Sequence, residues 1–232
     1  MRRADPESGA AGTQEVADPA LARRMTREQS RANTRERLLT AARSVFARAG
    51  FHGASVEEIA SEAGFSTGAL YSNFEGKEDL FLDLMEREID NYAREIEAAV
   101  TRRASVAERA EGGARQWMSM IEREQDVLLL FTEFWAYGVR DEQVRAQVAE
   151  RFAHARELLT RLIADAVREF DLQLAMPAEE LAVTVDALAD GIARQRLADP
   201  AAVPEDLLGR VLTLLFAAVT QPAEGTGTRS GA

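Results

Sequence analysis

Apolar residues return along this chain at intervals of three and four, the spacing that aligns side chains on one side of an α-helix. Leu38, Ala42, Val45, Phe46 and Ala49 form one such stripe between about Arg31 and Ala49, and Gly50 follows as a stop. Ser55-Val56-Glu57-Glu58 has the form of a capping box, in which a serine hydroxyl and a glutamate three residues on satisfy free N–H groups at a helix start. Val56, Ile59, Ala60 and Ala63 give that helix its buried side. Gly64 offers left-handed backbone to end it, and Phe65 leads into a second short helix over Ser66 to Tyr71. Leu70 and Phe74, four apart, are expected to pack inward against Phe46, Val56 and Ile59.

After Phe74-Glu75-Gly76 a longer helix is predicted from Lys77, with Leu80, Phe81, Leu84, Met85, Ile89, Tyr92 and Ile96 on its apolar side, connecting two domains. Ser105 and Glu108 repeat the capping box and open a fifth helix to about Ile121, weakened by Gly112-Gly113 at about 1 kcal/mol per glycine. Asp126 to Tyr137 is apolar nearly all round and is expected inside the molecule. Asp141 to about Leu172 reads as a long amphipathic helix. Pro177 suits the first turn of an eighth helix that Asp199-Pro200 breaks, and Pro204 opens a ninth to about Thr220. In the ninth, Leu207, Leu208, Val211, Leu212, Leu214, Leu215, Phe216 and Val219 cover more than one face, so the second face needs a further partner. The expected fold class is all-α, about nine helices with little or no sheet, divided into a three-helix head over 25–80 and a helical body over 81–220. Residues 1–24 and 221–232 lack apolar periodicity and read as disordered tails.

Composition agrees with helix, since aromatics are 6% and only six prolines punctuate 232 residues. The absence of cysteine excludes disulfides, thiolate metal sites and cysteine nucleophiles and suits a reducing cytoplasm. Met1 to Arg3 lead into no apolar stretch, so no signal peptide is expected. Val211 to Val219 is far short of the ~20 residues a membrane span needs. A soluble protein without a membrane partner is the expectation. The net charge of −11 opposes contact with phosphate, but its distribution reverses that. Arg23 to Ser55 holds eight arginines against Glu28 and Glu36, while Phe81 to Ala232 holds 17 basic and 27 acidic residues. The chain is basic only near its front.

Across Thr34 to Ile89 these pieces come in a particular order: Ala41-Ala42-Arg43-Ser44-Val45-Phe46, Ser55-Val56-Glu57-Glu58-Ile59-Ala60, Gly64-Phe65-Ser66-Thr67-Gly68-Ala69-Leu70-Tyr71-Ser72-Asn73-Phe74, and Gly76-Lys77-Glu78-Asp79-Leu80-Phe81. The pattern resembles the DNA-binding domain of the tetracycline-repressor (TetR/AcrR) family of transcriptional regulators. It covers about a quarter of the chain, and the body resembles the family only in its helical layout. The resemblance implies a homodimer that grips operator double-stranded DNA and answers to a small-molecule effector, with repression as the family's usual outcome.

In a helix-turn-helix the second helix lies in the major groove, so its outward residues must be short enough for backbone to approach base edges. Ser66, Thr67, Gly68 and Ala69 meet that need, although the same small residues also suit a plain turn. Ser55 can direct its hydroxyl and the adjoining N–H groups at a phosphate, or act as a cap alone. By resemblance Tyr71 offers its hydroxyl to a phosphate, with rim packing as the alternative. Lys77, the only lysine, sits where a family lysine meets phosphate. Ser72 and Asn73 complete the candidate DNA-contacting set. Arg31, Arg35, Arg37, Arg43 and Arg48 either add attraction or form a solvated face, and His52 reads as a loop residue rather than a pH switch.

The resemblance also implies that helices five to eight enclose a ligand cavity and that helices eight and nine pair with a second subunit. Trp117, Met120, Phe131, Phe134, Trp135 and Tyr137 gather large side chains in a short stretch and suit a greasy or aromatic effector, with ordinary core packing as the competing assignment. Glu133 and His154 stand on otherwise apolar helices and either orient that ligand or face water. Leu181, Val185, Leu188 and Ile192, with Leu207, Val211, Leu214 and Leu215, are the expected dimer contacts. No cofactor and no metal are expected, and no Asp/Glu cluster repeats at helical ligand spacing. A helical enzyme is disfavoured because no nucleophile–base pair, phosphate loop or metal spacing is present. A dimerisation adaptor with a vestigial helix-turn-helix is the remaining alternative.

Overall fold

The first apolar stripe folds as α1 (Arg27–Gly53), whose Leu38, Leu39, Ala41, Ala42, Val45 and Phe46 are buried. The computed structural model describes residues 27–222 apart from residue 102. The expected tail over 1–24, and all of 221–232 beyond Pro222, lie outside the described residues. Gly50 does not stop α1 outright. It kinks it with left-handed backbone (φ 71°), and one further turn follows through Gly53.

Next come α2 (Val56–Glu62) and the five-residue α3 (Thr67–Tyr71). Between them Gly64 takes a φ of 74°, and the Phe65 N–H reaches back to the Ala60 carbonyl at 2.9 Å, which closes the tight turn. Ser55 accepts from the Glu58 N–H as the capping box requires. The Glu58 carboxylate, however, is taken by Arg48 at 2.8 Å and does not return to the helix start. Leu70 and Phe74 are fully buried with Phe46 and Ile59, as their spacing predicts.

The connecting helix α4 (Lys77–Val100) leads to α5 (Val106–Arg123), α6 (Gln125–Gly138) and α7 (Glu142–Glu169). The two central glycines of α5 have a packing reason. A Cβ at Gly112 would lie 3.2 Å from the Ala99 carbonyl oxygen, and one at Gly113 3.2 Å from Val100 Cγ1, so they let α5 cross close to α4. Helix α6 is not wholly inside, as its composition suggests. Leu129 and Trp135 face outward, so only part of its circumference is covered.

Beyond α7 the chain departs from the sequence reading. The helix ends at Glu169, Asp171 adopts a φ of 51°, and Leu172–Leu174 form β1, which pairs antiparallel with β2 (Thr220–Pro222). A two-stranded ribbon therefore ties the end of α7 to the end of α9, and it includes Gln221 and Pro222 from the stretch read as a tail. Helices α8 (Ala178–Ala198) and α9 (Leu207–Val219) complete the body. Among the described residues there are nine helices, as the periodicity predicts, and none is long and apolar enough to cross a membrane.

One core runs from the head into the body. Phe46, Phe51, Phe81 and Phe134 are fully buried together, Phe134 coming from α6, and Leu130 and Val148 extend the same cluster. Phe134 stacks on Phe81 with centroids 4.2 Å apart and meets Phe51 edge-on at 4.8 Å. Interlocked rings at these spacings contribute beyond their buried area, so head and body are joined by packing rather than by a loose linker.

Candidate DNA-contacting surface and ligand cavity

Of the residues expected at DNA, Ser66, Gly68, Tyr71 and Ser72 are exposed, while Ser55, Thr67, Ala69, Asn73 and Lys77 are half-buried. Tyr71 is 56% exposed, so the rim-packing alternative for its ring is not what the fold uses. A Cβ on Gly68 would find nothing nearer than Ser66 Oγ at 3.8 Å, which leaves open space above the second helix. Ser66 accepts from the Ala69 N–H at an exposed helix start and Ser55 from the Glu58 N–H at a half-buried one, so both hydroxyls act as caps.

Three members of the set have duties within the fold. Asn73 is turned back on its own helix: its Nδ2 donates to the Ala69 carbonyl, and its carbonyl accepts from Arg35 at 2.7 Å. Ser72 Oγ donates to the Gly68 and Ala69 carbonyls. Lys77 Nζ donates to the Ala54 carbonyl at 3.1 Å and lies 4.8 Å from the Phe51 ring centroid, fixed beside the start of α2.

Of the eight arginines counted as a basic front, four are committed to structure, and Arg23 and Arg24 lie outside the described residues. Arg35 binds Asp83 and sits over Phe74, while Arg37 donates to the Ala63 carbonyl and covers Phe65. Arg43 reaches Glu124 at 2.5 Å and Arg48 holds Glu58 and Glu62. Arg31 stays exposed. These four side chains lace the head to itself, to α4 and to the α5–α6 junction, and the front is less a free electrostatic funnel than the count suggests.

Behind the head, α4 to α9 surround a cavity of about 230 Å³. Its α4 side runs from Met85 to Val100, about 22 Å of helix at 1.5 Å per residue, so the space is elongated. Tyr92, Trp117, Phe131 and Phe152 are aromatic parts of the wall, and its ionisable groups are Arg109, Asp186, Asp190 and Arg194. Of the seven candidates, Trp117 and Phe131 line it and five do not. Met120 is buried beside the cavity against Tyr92 and Val127, and Phe134 belongs to the head core. Trp135 is exposed, Tyr137 packs on Phe51 and His52, and His154 pairs with Asp90 at the surface at 2.8 Å. The helices that carry these five turn them elsewhere.

Glu133 likewise does not reach the cavity. Its carboxylate accepts the N–H groups of Phe51 at 3.2 Å and His52 at 3.3 Å, where the Gly50 kink frees them, and so pins α6 to the end of α1. Glu133→Ala is expected to cost about 1–3 kcal/mol in denaturant unfolding by stranding these donors; an unchanged midpoint would show that the pin carries no load.

Tyr92 bridges the two regions. Its ring lines the cavity and its hydroxyl donates to Glu124, whose same oxygen holds Arg43 of α1. Burial and the neighbouring Glu124 and Glu88 carboxylates raise its pKa, so it stays a donor.

The head matches a model of bacterial regulatory proteins of the tetR family over residues 38–84, in keeping with the resemblance of its motifs. The body matches a model of the C-terminal part of BetI-type transcriptional repressors over residues 106–220. The BetI regulator of Vibrio parahaemolyticus is 30% identical over 180 residues, covering 73% of this chain and 83% of that protein. The chain belongs to the TetR family. It is a helix-turn-helix transcriptional regulator.

The HTH-type transcriptional activator FasR of Mycolicibacterium smegmatis is 32% identical over 131 residues, an alignment spanning 56% of this chain and only 58% of FasR. Among solved structures, a TetR-family regulator from a Rhodococcus species superposes with a TM-score of 0.68 at 21% identity, over 82% of this chain and all of that one. FadR of Bacillus subtilis, solved with stearoyl-CoA, gives 0.62 at 16% identity, over 78% of this chain and 96% of that one.

Helices α8 and α9 pack on each other, and two of the expected dimer contacts are misassigned. Leu181 is fully buried and Val185 lines the cavity, so both face their own subunit. Leu188, Ile192, Leu207, Val211 and Leu215 are half-buried, and Leu214 is 71% exposed.

The sequence reading also missed the polar part of the cavity. Asp186 and Asp190 are four apart on α8, the spacing that puts two carboxylates on one face. Burial and the nearby Asp190 push Asp186 up to about 6, against weaker attraction from Arg156 and Arg194. Burial also raises Asp190, although Arg194 pairs with it at 2.7 Å. A carboxyl raised in the folded state stabilises below its unfolded pKa and loses that contribution as pH climbs through about 6. Asp186→Asn is therefore expected to gain stability over the parent at pH 7.5 and little at pH 4 in paired denaturant titrations; an equal difference at both would contradict the assignment.

Proposed function

We propose that the protein represses transcription in the cytoplasm as a homodimer, gripping operator DNA through α3 and letting go when an elongated, mainly apolar molecule fills the cavity. The observation that carries the DNA half is the exposed, small-residue start of α3 held above buried Leu70 and Phe74, flanked by the Ser55 cap and Lys77. Backbone can approach base edges there while helix starts and a fixed ammonium meet the flanking phosphates.

Two helices support the release half. Helix α4 lines the cavity with Met85, Ile89, Tyr92 and Ile96 and enters the head core with Leu80 and Phe81. Helix α6 lines it with Val127, Leu128 and Phe131 and enters with Leu130 and Phe134. A ligand that favours one setting of these helices shifts the head, and with it the spacing of two recognition helices. Dimerisation is supported by the outer faces of α8 and α9, where Val183 and Leu214 stand exposed beside half-buried Leu188, Ile192, Leu207 and Val211. Repression is supported by the BetI-type body, whereas FasR is an activator.

Capture of genomic fragments by the purified protein, followed by sequencing and a salt titration of the best fragment, tests this reading. One inverted-repeat motif with binding that weakens steeply with salt is expected. Salt-dependent binding without sequence preference would leave only non-specific contact and overturn it.

A further inference from the structure

Tyr92 borders two spaces. Its ring lines the cavity and meets Trp117 edge-on at 6.3 Å, and it also borders a second, more open recess of about 370 Å³ walled in part by Glu88, Glu95 and Glu124. Its hydroxyl donates to Glu124 Oε2 at 3.1 Å, the same oxygen that Arg43 Nη2 of α1 holds at 2.5 Å. A ring so placed has room to move when the cavity fills, and its hydroxyl leaves Glu124 when it does.

Glu124 and Arg43 each have a second partner in reach. Glu124 separates α5 from α6 with non-helical backbone (φ −130°, ψ 47°), and with its carboxylate on Arg43 the start of α6 has no side-chain cap among the described residues. A carboxylate freed at that position is drawn to the open N–H groups of the first turn and to the positive end of the helix dipole. Arg43 Nε is buried without a hydrogen-bond partner among the described residues and lies 3.7 Å from Oε1 of Glu88, a buried carboxylate on α4. A guanidinium released from Glu124 closes that gap, because an unsatisfied buried N–H and a buried carboxylate both gain from the contact. The same side chains therefore support two arrangements, with Arg43 of α1 held by the α5–α6 junction or drawn onto α4.

We infer that Tyr92 is a latch. Its hydroxyl keeps Glu124 on Arg43 and the head in its DNA-binding setting. An occupant of the cavity that displaces the ring lets Glu124 fold back onto α6 and Arg43 turn to Glu88. This rests on the reading of the cavity as the effector site and names the side chains that carry its signal to α1. Tyr92 is a positioning residue, acting on the head through Glu124 and Arg43.

Two substitutions in the full chain test the latch, singly and together. Tyr92→Phe keeps the ring and removes the hydroxyl, and Ala155→Phe fills the cavity from α7 without any ligand. Each single variant is expected to bind the captured operator about 10-fold more weakly than the parent, and the double variant no more than about 2-fold more weakly than Ala155→Phe, since an open latch is not opened again. Amide exchange measured by NMR on the free protein needs no operator. All three variants are expected to slow exchange of the Asp126 N–H at the start of α6, a gain of protection that mere loss of packing does not produce. Losses that multiply in the double variant, or Tyr92→Phe with parent affinity and parent exchange at α6, overturn the latch and leave the cavity reading standing. A folded Ala155→Phe with parent affinity and parent exchange overturns both, and should that variant not fold, Ala93→Leu fills the same space from α4. Capture of no specific fragment overturns the DNA reading, and exchange at Asp126 then decides for or against the latch by itself.

Discussion

Gly68→Glu is expected to weaken operator binding by about 100-fold or more without lowering the unfolding temperature. The fold tolerates the change, because the new Cβ meets only Ser66 Oγ at 3.8 Å and a glutamate in the first turn of α3 is favoured by the helix dipole. The DNA complex does not. A carboxylate placed where backbone must approach base edges meets two walls of phosphate, and loss of close contact and added repulsion together reach about 2.7 kcal/mol, the equivalent of that factor. Anisotropy titrations with the captured operator check it. Affinity within about 3-fold of the parent would mean that α3 does not enter the groove.

The second large effect is on the joint between head and body. Phe134 is fully buried, stacked on Phe81 and edge-on to Phe51, so Phe134→Ala empties the centre of the shared core. A loss of about 3–5 kcal/mol in denaturant unfolding is expected, the range for removing a buried phenyl ring. The effect reaches function through α6, since the same helix carries Phe131 into the cavity and Glu133 onto the Gly50 kink. Effector-induced release should therefore be blunted more than operator binding itself. A loss under about 1 kcal/mol would show that the two parts do not share a core in solution.

These two sites differ in how far the sequence discloses them. The head is legible because its signals are local. Ser55 and Ser66 cap, Gly64 turns, and Leu70 and Phe74 are spaced to point inward, and each of these acts over a few residues of backbone. The cavity is not, because which side of a helix faces it depends on how α4 to α9 cross. Trp117 and Phe131 reach it, while Phe134, only three residues from Phe131, belongs to another core. Aromatic enrichment marked the right helices and could not choose their faces. Asp186 and Asp190 were visible as a pair four apart in an apolar helix, and the signal lay in their neighbours rather than in any motif. The ribbon of β1 and β2 had no periodicity to reveal it, since three residues pair with a partner nearly fifty positions away.

Charge counting misled in an instructive way. Arg35, Arg37, Arg43 and Arg48 lie in the basic front, yet each is spent on a carbonyl, a ring or a carboxylate within the fold. Besides the exposed Arg27 and Arg31, the proposed DNA face offers the pair of capped helix starts, the exposed Tyr71 and the half-buried ammonium of Lys77.

Amide hydrogen exchange with and without the captured operator probes that surface most directly. Slowed exchange is predicted at the starts of α2 and α3 and across Ser66 to Lys77, with the cavity-lining faces of α5 and α7 little changed. Protection centred on the body, with α3 exchanging as fast as in the free protein, would contradict the assignment of this face to DNA.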